Sequence, residues 1–224
     1  HGHFDEFPKQ LARAAITSLA VQPDGSLWVG AAAGGVIRVS EGSDAVLTIA
    51  SELASTAIRT LHLDGDGTLW IGTAGGGLSC WRNGKITNFT AKEGLTARTV
   101  SQIVEDGNGF LWLGCNSGIY KVSKRDLINC ANGNLPFVHS RSFGINDGML
   151  ASECSGGFCP AGLKTKSGLI CISTVRGLVF VDPSEPGHTN TPPKVLLEEV
   201  RVNEEPQTLA TDDRDANITR HLIM

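Results

Sequence analysis

The stretch Asp66-Gly67-Thr68-Leu69-Trp70-Ile71-Gly72 decides the fold, because it occurs three times at a fixed interval. It appears earlier as Asp24-Gly25-Ser26-Leu27-Trp28-Val29-Gly30 and later as Asn108-Gly109-Phe110-Leu111-Trp112-Leu113-Gly114, with the three tryptophans 42 residues apart. A more divergent fourth copy runs from Ser167 to Ser173, where we expect Ile170 to occupy the tryptophan position. A fixed period of this length is the sequence signature of propellers and other repeat architectures.

Each copy predicts a small antiparallel sheet. In the second copy an alternating apolar run, Ile58 to Leu63, precedes the Asp-Gly pair, and a glycine followed by Leu78 starts the next apolar run. The Asp-Gly pair supplies the positive-φ positions of a tight hairpin turn, and a fourth strand ends at Phe89. Such a sheet cannot bury both faces alone, so we predict an all-β propeller of about four four-stranded antiparallel blades. A β-sandwich gives no reason for Trp-x-Gly to recur at one interval.

The repeat also predicts where the blades begin and end. Residues 2–7 are similar to 84–89, so residues 1–8 are predicted to be the outer strand of an incomplete blade. We place blades 1–4 at 9–183, and a Pro-rich linker, a final strand and a polar tail at 184–224. Incomplete blades leave strand edges that invite pairing with another chain. We therefore expect a homodimer in which each chain lends its first strand to the other and completes the ring.

Composition excludes several classes of function. The net charge is −4, from 19 basic and 23 acidic residues without a basic cluster, which argues against nucleic-acid binding. No apolar run approaches the 18 residues needed to span a bilayer. The six cysteines match no usual zinc spacing, and three of them, Cys80, Cys115 and Cys171, lie in apolar strand patterns that favour buried thiols. The sequence leaves the redox state of Cys154 and Cys159 open.

The best-preserved copy carries a family resemblance. Its motifs are Glu93-Gly94-Leu95, then Gly109 to Gly114, then Gly118-Ile119. With these repeats, the chain over about residues 2–182 resembles the two-component regulator propeller repeats of the periplasmic part of hybrid sensor histidine kinases. Residues 146–183 resemble the blade that closes such propellers. The resemblance implies a periplasmic, non-catalytic fragment of a sensor that binds a small molecule, often a carbohydrate, and passes on a conformational signal.

The candidate ligand site lies at one end of the predicted propeller. Propeller ligands usually contact the loops at one rim. The strand order places two sets of loops at the same rim: those that precede the inner strands and those that follow each Trp-x-Gly. We call this end the upper rim. Arginines at near-equivalent positions there would form a basic collar for an anionic or polyhydroxyl ligand, although solvated loop charge is the alternative. The candidate residues are Arg13, Arg59, Thr73, Lys92, Glu93, Arg98, Asn116 and Arg176.

Metal chemistry remains an alternative to simple ligand binding. Zinc or calcium is the possible metal, and the candidate ligands are His1, His3, His62, His139 and His188. No Gly-x-Ser-x-Gly or His-Glu-x-x-His motif is present. We therefore favour a ligand-binding sensor propeller over a metal-dependent hydrolase that uses the channel of an oligomer, and over a protein-interaction scaffold.

Overall fold

The computed structural model describes residues 14–40, 46–184, 200–202 and 205–207. The chain separates into two compact units, His1–Glu185 and Pro186–Met224. The strand predicted over residues 1–8 and most of the tail predicted from 184 onward lie outside the described residues.

The first unit contains four antiparallel sheets, each formed by consecutive strands. The strands of the first sheet, β1 to β4, are Ile16–Val21, Leu27–Ala31, Val36–Val39 and Val46–Ile49. Those of the second, β5 to β8, are Ile58–Leu63, Leu69–Thr73, Leu78–Arg82 and Lys85–Phe89. Those of the third, β9 to β12, are Val100–Glu105, Phe110–Cys115, Gly118–Ser123 and Ser140–Phe143. Those of the fourth, β13 to β15, are Gly162–Lys164, Ile170–Thr174 and Gly177–Val181.

The sheets confirm the prediction of an all-β propeller with four antiparallel blades. The inner strands β1, β5, β9 and β13 follow one another in contact, so the sheets stack in chain order. Blades 1 to 3 have four strands, and blade 4 has three among the described residues. One α-helix, α1 at Lys124–Ala131, lies between β11 and β12 and is the only α-helix in the described part of the chain. In the second unit, β16 (Val200–Val202) pairs with β17 (Glu205–Gln207).

The two faces of each blade have different roles. We call the face that carries the tryptophan the tryptophan face; in blade 2 it presents Trp70, Leu78, Cys80 and Phe89, all buried. The opposite, aliphatic face of the next blade covers it, with the residues Ile103, Leu111 and Leu113. Trp28 and Trp112 are buried in the same way against blades 2 and 4. Each repeat therefore buries its large aromatic ring only by stacking on its successor.

Close approach between β6 and the inner strand β9 of the next blade explains the glycine of the Trp-x-Gly motif. A Cβ atom on Gly72 would lie 2.6 Å from Cγ2 of Thr60 and 2.6 Å from the carbonyl oxygen of Val100 in the next blade. These distances are far below ordinary van der Waals contact, so any larger residue would push the two blades apart.

Our prediction for the tryptophan position of blade 4 was wrong by one residue. The turn before β14 aligns with the turn before β6, because Gly168 and Gly67 each donate their N–H to the residue three before, Thr165 and Asp64. This alignment places Cys171, not Ile170, at the tryptophan position. Ile170 is fully buried against blade 3 on the aliphatic face. Because strand side chains alternate, a shift of one residue exchanges the two faces.

Candidate functional site

A cleft of about 170 Å³ lies beside the inner strands of blades 2 to 4. Its walls come from β5 and β9, and residues 158–161 at the end of the segment that connects β12 to β13 cover it. We call this segment, residues 144–161, the connecting segment. His62, Gln102, Phe158 and Cys159 are among the residues that line it. The cleft is therefore formed by the repeat on one side and by a non-repeated segment on the other.

Gln102 shows how the repeat is adapted here. Gln102 of β9 is paired with Gly114 of β10. The equivalent inner-strand residues, each paired with the glycine of Trp-x-Gly, are Ser18 in blade 1 and Thr60 in blade 2. The Ser18 hydroxyl accepts a hydrogen bond from the N–H of Leu61 in the next blade at 3.0 Å. The longer Gln102 amide instead donates to the carbonyl oxygen of Ser173 at 3.0 Å and to that of Ser155. Gln102 thus fastens the connecting segment to blade 3.

Two buried polar atoms beside the connecting segment have no hydrogen-bond partner. They are Oε1 of Gln102 and Nε of Arg59. The Arg59 guanidinium packs against the connecting segment, where a Cβ atom on Gly157 would lie 2.9 Å from Nη1. Buried polar groups are rarely left unpaired in folded proteins. One acceptor and one donor beside the connecting segment therefore lack partners.

The connecting segment also presents an aromatic ring to solvent. Phe158 lines the cleft and is 57% exposed, and the neighbouring Cys159 is exposed as well. An exposed phenyl face next to polar groups is a common arrangement in small-molecule sites. The sequence prediction did not include Gln102 or Phe158; a glutamine in the interior of an apolar inner strand was the signal available for the first.

The upper rim is assembled as the strand order predicts. The N–H of Ala74 donates to the carbonyl of Ala57, which joins the loop after β6 to the loop before β5. The N–H of Gly77 donates to the carbonyl of Arg98 in the loop before β9. Lys92, Arg98, Asn116 and Arg176 are exposed in this set of loops.

Two of the predicted rim residues hold turns, and a third is not described. Thr73 is buried, and its hydroxyl donates to the Gly77 carbonyl and accepts from the Gly76 N–H, so it holds a turn. The Glu93 carboxylate accepts from the N–H and hydroxyl of Thr90 and caps a short 3-10 turn, Ala91–Glu93. Arg13 lies outside the described residues. Among the described members of the predicted set, Arg59 borders the connecting segment that covers the cleft.

His62 belongs to a polar cluster between blades 2 and 3. Its Nε2 lies 3.4 Å from a Glu105 carboxylate oxygen, and Lys124 Nζ lies 2.6 Å from the other and 2.5 Å from Oδ2 of Asp64. The Trp70 indole N–H donates to the same Asp64 oxygen at 3.2 Å. Burial alone would raise the pKa of Asp64, but hydrogen bonds from Asp66, Lys124 and Trp70 outweigh it and lower the pKa to about 2. The cluster is a set of satisfied ion pairs that joins two blades.

The remaining metal candidates are not brought together by the described structure. Among the residues it covers, no group of three or more His, Cys, Asp or Glu side chains is placed to hold a metal ion. His139 packs edge-on against Phe137, with ring centroids 5.1 Å apart. His1, His3 and His188 lie outside the described residues.

The cysteines of the connecting segment differ in their surroundings. All six cysteines are free thiols; Cys154 is buried and Cys159 exposed. Burial raises the pKa of Cys154 to about 11, which keeps it in the unreactive thiol form.

Comparison with protein families identifies the repeat. Residues 52–75 and 94–117 match the model described as "Two component regulator propeller". No curated protein matches this chain.

Solved structures share the fold. The extracellular domain of a putative hybrid two-component system from B. thetaiotaomicron matches with a TM-score of 0.63 and 24% identity, over 82% of this chain and 24% of that one. The extracellular domain of a putative one-component system from the same organism matches with a TM-score of 0.62 and 19% identity, over 76% and 24%. Virginiamycin B lyase from Staphylococcus aureus matches with a TM-score of 0.53 and 14% identity, over 77% and 57%. The chain thus spans about a quarter of the length of the first two structures.

Proposed function

Because this chain carries two-component regulator propeller repeats, we propose that it is a ligand-binding portion of a sensor protein and does not itself catalyse a reaction. One observation carries the proposal: Arg59 Nε and Gln102 Oε1 are buried without partners beside the same segment that presents the exposed Phe158. This combination supplies a donor, an acceptor and an apolar surface, which are the groups that bind a ligand. It does not require a nucleophile activated by a general base.

The chemistry of these groups indicates the class of ligand. The Arg59 guanidinium is a rigid fork of donors suited to a carboxylate or to neighbouring hydroxyl oxygens. Gln102 Oε1 accepts a hydrogen bond from a ligand hydroxyl, and the face of Phe158 packs against the apolar face of a ring. A carbohydrate that carries an acidic group offers partners for all three groups. The cleft lined by Gln102 and Phe158 has a volume of about 170 Å³, which suits a single sugar residue rather than a long chain, and Arg59 lies beside its covering segment.

The connecting segment offers a route for the signal. Gln102 holds it to blade 3 through Ser155, and its far end leads directly into β13 of blade 4. A ligand that engages Gln102 and Phe158 changes the contacts of this segment without unfolding a blade. Such a change is driven by the difference between the ligand's contact energy with the segment in its free position and in its bound position.

An extracellular or periplasmic location fits this proposal. The two bacterial structures above are extracellular domains. None of the helices in the described part of the chain has the length and apolar character required to cross a bilayer.

Calorimetric titration with a panel of neutral and uronic-acid oligosaccharides tests the proposal. We expect an acidic sugar to bind, and Arg59→Met and Phe158→Ala each to weaken binding by about tenfold or more, the equivalent of about 1.4 kcal/mol. Arg125→Met is the matched control, because that arginine lies on α1 with its side chain 85% exposed. Equal binding by all variants would refute the site. Cleavage of any sugar in the panel would refute the non-catalytic assignment.

A further inference from the structure

A second cavity, of about 200 Å³, lies between the β7–β8 hairpin of blade 2 and helix α1. Its lining includes Arg82 and Lys85 of the hairpin and Ile128 and Ala131 of the helix. Among the described residues, it has no lining residue in common with the cleft at the connecting segment. A water molecule takes up about 30 Å³ in the liquid, so the cavity has room for a small molecule.

Small side chains in blade 2 leave this space open. Cys80 holds the position of Arg38 in blade 1, because each is paired with the repeat tryptophan of its blade. Thr87, which is paired with Cys80, holds the position of Leu47. In blade 1 the Arg38 guanidinium lies over the ring of Trp28, 5.6 Å from its centroid. In blade 2 the corresponding space is instead bounded by α1, the only α-helix in the described part of the chain.

Two positive charges lie on the wall of the cavity. Arg82 and Lys85 are paired directly across the hairpin, and like charges in that arrangement repel each other. Because strand side chains alternate, both project from the same face as Cys80, toward the cavity. Nη2 of Arg82 lies 3.7 Å from Oδ2 of Asp66, which is longer than the roughly 2.7–2.9 Å of a charge-assisted hydrogen bond. Among the described residues, neither cation therefore has a hydrogen-bond acceptor.

The other polar groups of the lining also suit an anion. The side-chain amides of Asn83 and Asn132 have no hydrogen-bond partner in the described part of the chain, and each carries N–H donors. Free carbonyl groups at the C-terminus of α1 would repel an anion. The carbonyls of residues 128–130, however, already accept hydrogen bonds from the N–H groups of residues 132–135. None of the described lining residues is acidic.

We propose that this cavity binds a small molecule that carries a phosphate or sulfate group. The oxyanion lies against Arg82 and Lys85 and offsets their mutual repulsion, and the rest of the ligand packs on Ile128 and Ala131. A guanidinium binds two oxygens of such a group in parallel, and an ammonium adds a point charge. This site goes beyond the proposed sugar site, because the two are lined by different residues of the described chain.

Calorimetric titration with inorganic phosphate, sulfate and acetate at one ionic strength tests the proposal. We expect phosphate, sulfate or both to bind, and Arg82→Gln and Lys85→Gln each to weaken binding by about tenfold or more, since each removes a charged hydrogen-bond donor. Binding of one anion alone identifies the ligand group. Arg125→Met is the matched control, because it removes a positive charge from an 85% exposed side chain on α1. Tighter binding of acetate than of either tetrahedral anion would overturn the assignment.

A second variant separates binding in the cavity from attraction to surface charge. Thr87→Leu keeps both cations and introduces the residue that blade 1 has at this position, Leu47, so it should narrow the cavity while the blade still folds. We expect it to lose phosphate and sulfate binding while its far-ultraviolet circular dichroism matches that of the wild type. If it does not fold, Ala131→Leu narrows the cavity from the helix side.

Three results would overturn the proposal. The first is a wild type that binds neither phosphate nor sulfate. The second is wild-type affinity in the charge variants or in the narrowed variant, which would place the anion outside the cavity. The third is an equal loss of affinity in Arg125→Met, which would show that the anion responds to the total charge of the protein.

Discussion

Two of the three repeat tryptophans donate their indole N–H to an aspartate in the preceding turn. Trp70 donates to Asp64 at 3.2 Å and Trp112 to Asp106 at 3.0 Å. In blade 1 the aspartate position holds Gln22, which accepts from the Ser26 hydroxyl at 2.7 Å, and the buried indole nitrogen of Trp28 has no partner. In blade 4 both members of the pair are replaced, by Thr165 and Cys171.

Restoring the aspartate in blade 1 should therefore stabilise the fold. The backbone hydrogen bonds of Gln22 match those of Asp64, so Gln22→Asp directs a carboxylate at the same position relative to the indole. We expect a gain of about 1 kcal/mol, the typical net value of a buried hydrogen bond, measured from urea midpoints. Gln22→Ala is the control, because it removes the amide without adding an acceptor. Equal stability of the two variants would contradict the assignment of Trp28 as an unsatisfied donor.

Asp64 predicts a pH dependence of stability. Its folded-state pKa of about 2 lies below the ordinary aspartate value of 3.8. The carboxylate therefore contributes stability that is fully present above pH 4 and is lost as the pH falls toward 2; the contribution is about 2 kcal/mol. Asp64→Asn keeps an acceptor for Trp70 but removes this titration and leaves Lys124 with Glu105 alone. Urea midpoints between pH 7 and pH 2 should fall less steeply for the variant, and parallel curves would contradict the prediction.

At the scale of the strands, residue spacing predicted the blades but not the register of every one. The Trp-x-Gly copies locate β2, β6 and β10 because a tryptophan and a close-approach glycine are both required at each blade contact. The fourth copy lacks both residues, so only its turn glycine, Gly168, fixes the alignment, and the apolar pattern alone favoured Ile170. Periodicity identifies a strand more reliably than it identifies which of two neighbouring apolar residues faces a given side.

Substitutions in β6 and β14 test this register. Trp70→Ala should cost about 3–5 kcal/mol, because it removes a fully buried ring from the contact between blades 2 and 3. Ile170→Ala should cost about 2–4 kcal/mol, because Ile170 is buried against blade 3. Cys171→Ala should cost about 1 kcal/mol or less, since the side chain is only half-buried on the open face. Denaturant midpoints that reverse the order of Ile170 and Cys171 would show that the aligned turn is wrong.

The repeat pattern predicts neither helix α1 nor the connecting segment. Helix α1 interrupts blade 3, and its only local signal is the N-cap, where the Ser123 hydroxyl accepts from the Asp126 N–H at 3.2 Å. The connecting segment has no counterpart in the other blades, so no periodicity predicts that it crosses the inner strands and covers the cleft. The sequence could therefore predict the rim loops, and among them Arg59, but not the cleft that Gln102 and Phe158 help to form.

At the scale of the whole molecule, the blades stack in chain order, and as a result they differ in stability. Blades 2 and 3 are covered on both faces and contain the largest buried cluster, from Trp70 to Val138. Blade 4 is covered on one face only, and among the described residues β15 has a neighbouring strand on one side only. In repeat architectures such a terminal unit depends on a single interface, so it should open locally while the central blades remain folded.

Amide hydrogen exchange should reveal this gradient. We expect amides of β15 to exchange at least about tenfold faster than those of β6, which corresponds to an opening free energy lower by about 1.4 kcal/mol or more. A single exchange rate for both strands would show that the four blades open as one cooperative unit, because the interfaces between blades would then couple them more strongly than the exposure of blade 4 indicates.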